Sequence, residues 1–341
     1  MDNSVKKYKS LLEKLFPLIL LFLIVLVIFT GSYKIPPGQV IQAAIAKFTG
    51  ADFDEGKLIT LWEIRLPRIL AAAIAGATLS STGAVYQGIF RNPLIDPYIM
   101  GISAGAAFGA ALSIVLNIRI IDYRFTAMVF AFIASSISYM LAFRRKRTSI
   151  IGMILAGIVI NSFFSSGIAF LKAIAEVGQL KELTFWLMGG IYSCTWNSVF
   201  WMTISFIPCF ILLKSIGGKI DIITQGEDIA QTSGVNVQKT RLIGIVAVTI
   251  SIAFCISYTG IIGWVGLGVP HFVRTIFGVS HKKLITNSAF AGAILLLLCD
   301  TFSRNMMNYI NNLGELPISV ITSFIGAIFL ITIIRGNNIQ L

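Results

Sequence analysis

Apolar runs long enough to cross a bilayer recur along the whole chain. A spanning helix needs about 20 mostly apolar residues. Ten such segments can be drawn, at 15–33, 64–86, 97–116, 124–143, 149–171, 196–216, 240–259, 262–278, 284–305 and 317–335. Only 12% of the 341 residues are charged, against about 25% in a soluble domain, and mean hydropathy is +0.85. These features predict an all-α, polytopic membrane protein of about ten transmembrane helices, forming one transmembrane domain over residues 1–341. The lysine-rich start is followed by the apolar run Leu15–Thr30 with no small-residue cleavage pattern behind it. That run reads as a retained first spanning helix rather than a leader.

The formal net charge is +12, yet no compact basic domain is visible, so nucleic acid is not an expected partner. The cations fall in alternate connections instead. With the N-terminus inside, residues 1–14, 87–96, 144–148, 217–239, 279–283 and 336–341 are cytoplasmic, and they collect Lys6, Lys7, Lys9, Lys14, Arg144, Arg145, Lys146, Arg147, Lys282 and Lys283. The other connections hold Asp52, Asp54, Glu55, Asp122, Glu176, Glu182 and Glu315. Basic residues favour the cytoplasmic side, so both termini are expected there.

The third and eighth segments are the least regular. Gly260, Gly263, Gly266, Gly268 and Pro270 crowd one stretch that also carries His271. Glycine and proline weaken helices, and irregular backbone survives in a bilayer only where protein or a water-filled cavity covers it. A transporter or channel is therefore expected. Helices 2–5 and 7–10 would have opposite orientations, the arithmetic of an inverted repeat. Gly101, Gly105 and Gly109 lie four apart on helix 3, as do Ala72, Gly76, Ser80 and Ala84 on helix 2. This spacing predicts close helix packing, and Gly263 and Gly266 are assigned the same role.

Polar residues are few. Asp300 is the acid well inside a span, with Arg304 at i+4 able to pair with it, which is poor material for a proton relay. Arg65 and Arg68 sit at the start of helix 2 and either snorkel to headgroups or face an acidic partner. The 217–239 loop reads as a short helix, with Glu227 and Asp228 in its first turn, then Ile229 and Ala230, and Gly234 after its end. It is either a docking element or an ordinary connector. There is no phosphate-cradling glycine loop ending in Lys-Ser or Lys-Thr and no catalytic constellation. Cys194, Cys209, Cys255 and Cys299, with His271 and His281, lack metal-ligand spacing. No enzyme activity, cofactor or metal site is expected.

Several stretches together resemble one family, the FecCD or BtuC type permeases of ABC importers for iron–siderophore complexes, haem and cobalamin. They are Arg65-Leu66-Pro67-Arg68, Gly83–Gly88, Arg91–Leu94 with Asp96-Pro97, Gly101–Ala106, Leu155-Ala156-Gly157, Trp186–Gly189, Gly226–Ala230, Ser233-Gly234-Val235, Gly260–Arg274 and Glu315-Leu316-Pro317. The resemblance implies a type II importer with two permease subunits, here a homodimer, in the cytoplasmic membrane. It implies two cytoplasmic ATPase subunits that hydrolyse the ATP, and an extracytoplasmic binding protein. It assigns Gly226, Glu227, Asp228, Ile229, Ala230 and Gly234 to ATPase docking, and Arg65, Arg68 and Arg304 to contact with the binding protein. Helices 5 and 10 would line the path between the two copies. Gln225, Trp264 and Gly268 depart from the residues frequent in the family. An iron–siderophore is the first expectation for cargo, with cobalamin, haem or a molybdate-like oxyanion as alternatives. A stand-alone secondary transporter is the remote alternative.

Overall fold

The computed structural model describes residues 3–31, 33–118, 120, 122–144, 147–306 and 315–335. Arg145, Lys146 and the segment 336–341, all assigned to inside loops, lie outside the described residues. The fold is helical: α1 (Asn3–Ile28), α2 (Pro37–Thr49), α3 (Glu55–Ile59), α4 (Leu66–Ile89), α5 (Ile102–Val115), α6 (Tyr123–Ala142), α7 (Ile150–Ile174), α8 (Val177–Met188), α9 (Trp196–Gln225), α10 (Glu227–Thr232), α11 (Val237–Thr259), α12 (Val265–Phe277), α13 (His281–Met306) and α14 (Ile318–Arg335). A π-helical turn, Thr60–Arg65, joins α3 to α4. Two-residue strands, Phe143–Arg144 and Arg147–Thr148, pair between α6 and α7.

Each of the ten expected spans corresponds to a helix, but they differ in length. Among the described residues, seven helical stretches are long and apolar enough to cross a membrane, while Ile102–Val115, Val265–Phe277 and Ile318–Thr332 are shorter. At 1.5 Å per residue, α5 and α12 reach only about 20 Å, short of the ~30 Å hydrocarbon core. Irregular backbone leads into each. Its polar groups are met by protein. Tyr98 Oη donates to the Ile262 carbonyl at 3.0 Å, and Gln87 Nε2 donates to that of Leu267, in the first turn of α12, at 3.1 Å. The glycine-rich segment is thus irregular over 260–264, with positive φ at Gly260 and Trp264, and becomes helix from Val265.

The two halves mirror each other. Gly244, near the start of α11, faces Val85 and Ile89 near the end of α4, so these helices are antiparallel. Gly157 on α7 abuts Ile99, just ahead of α5, and Gly326 on α14 abuts the ring of Trp264, just ahead of α12. While α4 packs on α12 and α13, α11 packs on α5 and α6. This exchange of partners is the pattern of an inverted repeat.

At the centre is α4, buried from Pro67 to Ile89 apart from Leu70 and Ile74. Its small residues bring backbones together. A Cβ at Gly76 would overlap the Gly292 carbonyl of α13, and one at Gly83 the Gly266 carbonyl of α12. Gly105 and Gly109 stand likewise against the Phe130 and Thr126 carbonyls of α6, and Gly266 against Pro97. A Cβ at Gly263 would meet only Ser323 Oγ, at 3.9 Å, an ordinary contact. At Gly101 the constraint is conformational, with φ +82.

The sequence missed α2 and α8, which are too short to register as spans. It also took 217–225 as loop, whereas these residues continue α9 to Gln225. The connection thus shortens to α10 and its flanking glycines, because nothing before Gly226 breaks the helix.

Gly83→Ala is expected to destabilise the fold by about 1–3 kcal/mol, the usual cost of overpacking. Gly218→Ala, where a Cβ meets nothing within 4 Å on an exposed helical turn, should gain about 0.5–1 kcal/mol. Equilibrium unfolding in detergent measures both, and equal effects would contradict the packing described.

Candidate functional site

Two groups of charged side chains occupy opposite ends of the bundle. At one end, the start of α4 meets the end of α13. Arg68 donates from Nε to Asp300 Oδ1 at 2.9 Å and from Nη1 to Glu315 Oε1 at 2.9 Å. Its Nη2 lies 2.9 Å from Asp300 and 2.7 Å from Glu315 Oε2. Arg304 Nε is 3.0 Å from Asp300 Oδ2, one turn along α13. Two guanidinium groups and two carboxylates therefore balance. The planar fork of Arg68 serves both acids through four N···O contacts, where an ammonium has only three donors. Asp300 is 0% exposed.

Arg65 lies beside this group but uses its donors differently. Nη1 donates to the Ile28 carbonyl at 2.9 Å and Nη2 to the Tyr33 carbonyl, fastening the end of α1. Arg65, Arg68 and Arg304 are 3%, 6% and 5% exposed. The three arginines singled out for binding-protein contact thus stand together, each engaged by oxygens of its own chain. A partner carboxylate would reach Arg68 only by displacing Glu315. Glu315, together with Glu182, Tyr123, Tyr192, Tyr258 and Trp186, also lines an open cavity at this end. The Arg68 pairings span 232 and 247 residues of sequence, so spacing could not reveal them.

The opposite end carries α10. Gly226 (φ +144) precedes it and Gly234 (φ +77) follows it, both in conformations that side chains rarely adopt. Ala230 is buried and packs with Ile223, Val235 and Val237. Asp228 and Ile229 point outward, Ile229 being 48% exposed. Glu227 turns back instead, accepting from Arg241 Nη2 at 2.6 Å. Arg241, at the start of α11, is completely buried; its place at the edge of an apolar run was the available signal for it. Nearby, Asp221 accepts from the His281 backbone N–H at 2.6 Å and lies 2.7 Å from His281 Nδ1. That pairing ties the end of α9 to the start of α13.

α7 presents a face with no partner among the described residues. Ile158, Ser162, Ser165, Ser166 and Ala169 are exposed along it, and Asn161 and Ser165 line a shallow cavity with Ser103 of α5. Among the exposed residues of α14 are Val320, Phe324 and Ile328.

The profile of the FecCD transport family matches residues 19–336. The molybdate import system permease protein MolB of Haemophilus influenzae is 32% identical over 316 residues, 92% of this chain and 92% of its own length. The hemin transport system permease protein HmuU of Yersinia pestis is 32% identical over 286 residues, 82% of this chain and 84% of its own. A solved structure of a metal-chelate type ABC transporter in an inward-facing conformation aligns with a TM-score of 0.84 at 28% identity, covering 95% of this chain and 99% of that one.

Asp300→Asn leaves Arg68 and Arg304 with Glu315 alone and is expected to cost about 3–5 kcal/mol, as for other broken buried pairs. Glu315→Gln, at a part-exposed carboxylate, should cost about 1 kcal/mol or less. Unfolding midpoints in detergent report both, and a reversed order would refute the central place given to Asp300.

Proposed function

The chain belongs to the FecCD transport family, a family of ABC importer permeases, and from that premise we propose that two copies of it form the membrane path for an iron–siderophore complex. Two cytoplasmic ATPase subunits dock at α10, where they hydrolyse ATP, and an extracytoplasmic binding protein delivers cargo to the Arg68–Glu315 end. The observation that carries this reading is α10 itself. It is a short helix between two positive-φ glycines, seated by Ala230 and presenting Asp228 and Ile229 outward.

Charge supports the orientation. Lys14, Lys219, Lys239, Lys282 and Lys283 cluster around the α10 end, whereas Asp122, Glu176, Glu182 and Glu315 lie towards the other. The positive-inside tendency then favours a cytoplasmic side for α10, the described start of α1 and the described end of α14. The hydroxyls and the amide on the free face of α7 are costly against lipid, which supports a second copy and a wet path there. Asn161, Ser162, Ser165 and Ser166 would line that path.

The metal-chelate transporter that aligns over nearly the whole chain supports an iron–siderophore. MolB and HmuU, each 32% identical to this chain, keep molybdate-like oxyanions and haem as alternatives, with cobalamin beside them. Uptake by vesicles holding the full importer, against a panel of these four ligands, decides among them.

Ile229→Asp tests the docking face without disturbing Arg241. ATPase association with the permease should weaken about thirtyfold, the effect of losing a hot spot worth ~2 kcal/mol, and unchanged association would refute docking at α10. At the other end, binding-protein affinity should fall as salt is raised from 0.05 to about 0.5 M. Salt-independent affinity would remove the charged cluster from the contact.

A further inference from the structure

Thr148 immediately precedes Ser149, the residue that caps α7 by accepting from the Gly152 N–H at 3.3 Å. Two side chains from the first turn of α11 hold it. Gln238 Oε1 accepts from Thr148 N–H at 2.9 Å and from its hydroxyl at 2.6 Å, while Arg241 Nη1 donates to its carbonyl at 3.2 Å. Gln238 and Arg241 are three apart and so share a helix face. The other arm of Arg241, Nη2, is the one bound to Glu227 on α10. One fully buried guanidinium thus touches both α10 and the residue at the head of α7. Thr148, Ser149, Gly152, Leu155, Glu227 and Gln238 line one cavity open at this end.

We propose that Glu227, Arg241, Gln238 and Thr148 form a mechanical relay, in which displacement of α10 is passed to the start of α7 and so opens or closes the inner mouth of the path. The physical reason is the state of Arg241. Its Nε has no hydrogen-bond partner among the described residues, and Glu227 is the carboxylate that pairs with it. Pulling Glu227 away would strand a buried cation, which is strongly unfavourable, so α10 and the start of α11, which carries Arg241, move as one body. The second arm and the Gln238 clasp then carry Thr148 along. Gly226, ahead of α10, lets that body turn against α9. Arg241 and Gln238 are positioning residues in this scheme, touching neither nucleotide nor cargo.

The relay rests on the docking of the ATPase at α10, and the two fail differently. The experiment uses the full importer in vesicles, with its ATPase and binding protein, and measures ATPase association, ATP hydrolysis and cargo transported per ATP. Arg241→Gln and Gln238→Ala should each leave the ATPase bound and hydrolysing but lower transport per ATP by about fivefold or more, the range of ordinary coupling energies. Arg241→Lys keeps the charge but loses one of the two arms, and should fall between wild type and Arg241→Gln. If Arg241→Gln does not assemble, Gln238→Ala decides alone, since it removes only the clasp on Thr148. Transport per ATP equal to wild type in Gln238→Ala, in an assembled complex, overturns the relay. If instead the Ile229→Asp complex binds ATPase as well as wild type does, the docking reading fails first and the relay with it.

Discussion

Close approach of backbones around α4 is the constraint on which the rest of this molecule depends. In lipid there is no hydrophobic drive between helices, so contact area and packing must hold them. Gly76 and Gly292 let α4 and α13 touch carbonyl to Cα, and Gly83 and Gly266 do the same for α4 and α12. That approach sets the antiparallel register in which Arg68 meets Asp300. At the other end of the same pair it brings His281 beneath Gly88, where a Cβ would strike the imidazole. The charge pairs across helices therefore follow from the glycines, and a shift of one residue between α4 and α13 would part Asp300 from Arg68 and leave it Arg304 alone.

The two ends resolve buried charge in different ways. Around Asp300, Arg68 and Arg304 balance the two carboxylates, with Arg65 beside them held by backbone carbonyls, and only Glu315 has appreciable exposure. That arrangement is static, since removing any member leaves an opposite charge uncompensated. Near α10 a single arginine, at the start of α11, stands between a part-exposed carboxylate of α10 and a backbone carbonyl. One end resists rearrangement, and the other is built so that a small unit can move.

Much of this was legible in the sequence because hydrophobicity is a local property. All ten apolar runs became helices, and the glycine and proline content of the third and eighth correctly marked half-depth helices fed by irregular backbone. The short helix at Glu227, with Gly234 behind it, followed from local helix signals in the same way. What stayed hidden was tertiary. Asp300 and Arg304 could be paired from their i, i+4 spacing, but Arg68 joins them from 232 residues away. The inward turn of Glu227 depends on where α11 packs, so its sequence neighbours suggested an outward acid. Arg65, with its apolar surroundings, offered no sign that its partners would be the carbonyls of Ile28 and Tyr33. Residues 217–225 were misread because two glycines and a lysine look like a loop, yet Gly218 simply occupies an open helical turn.

The 232 residues between Arg68 and Asp300 also impose an order on biogenesis. Polypeptide emerges from the ribosome at about 5–20 residues per second, so α13 follows α4 into the membrane on the order of 10 to 50 s later. Throughout that interval α4 has a cation near its end with no carboxylate to receive it, and a helix of small side chains with little to grip. Lipid headgroups are the available counter-charge, reached by snorkelling. The second half thus supplies the two carboxylates that take the arginine over from the lipid.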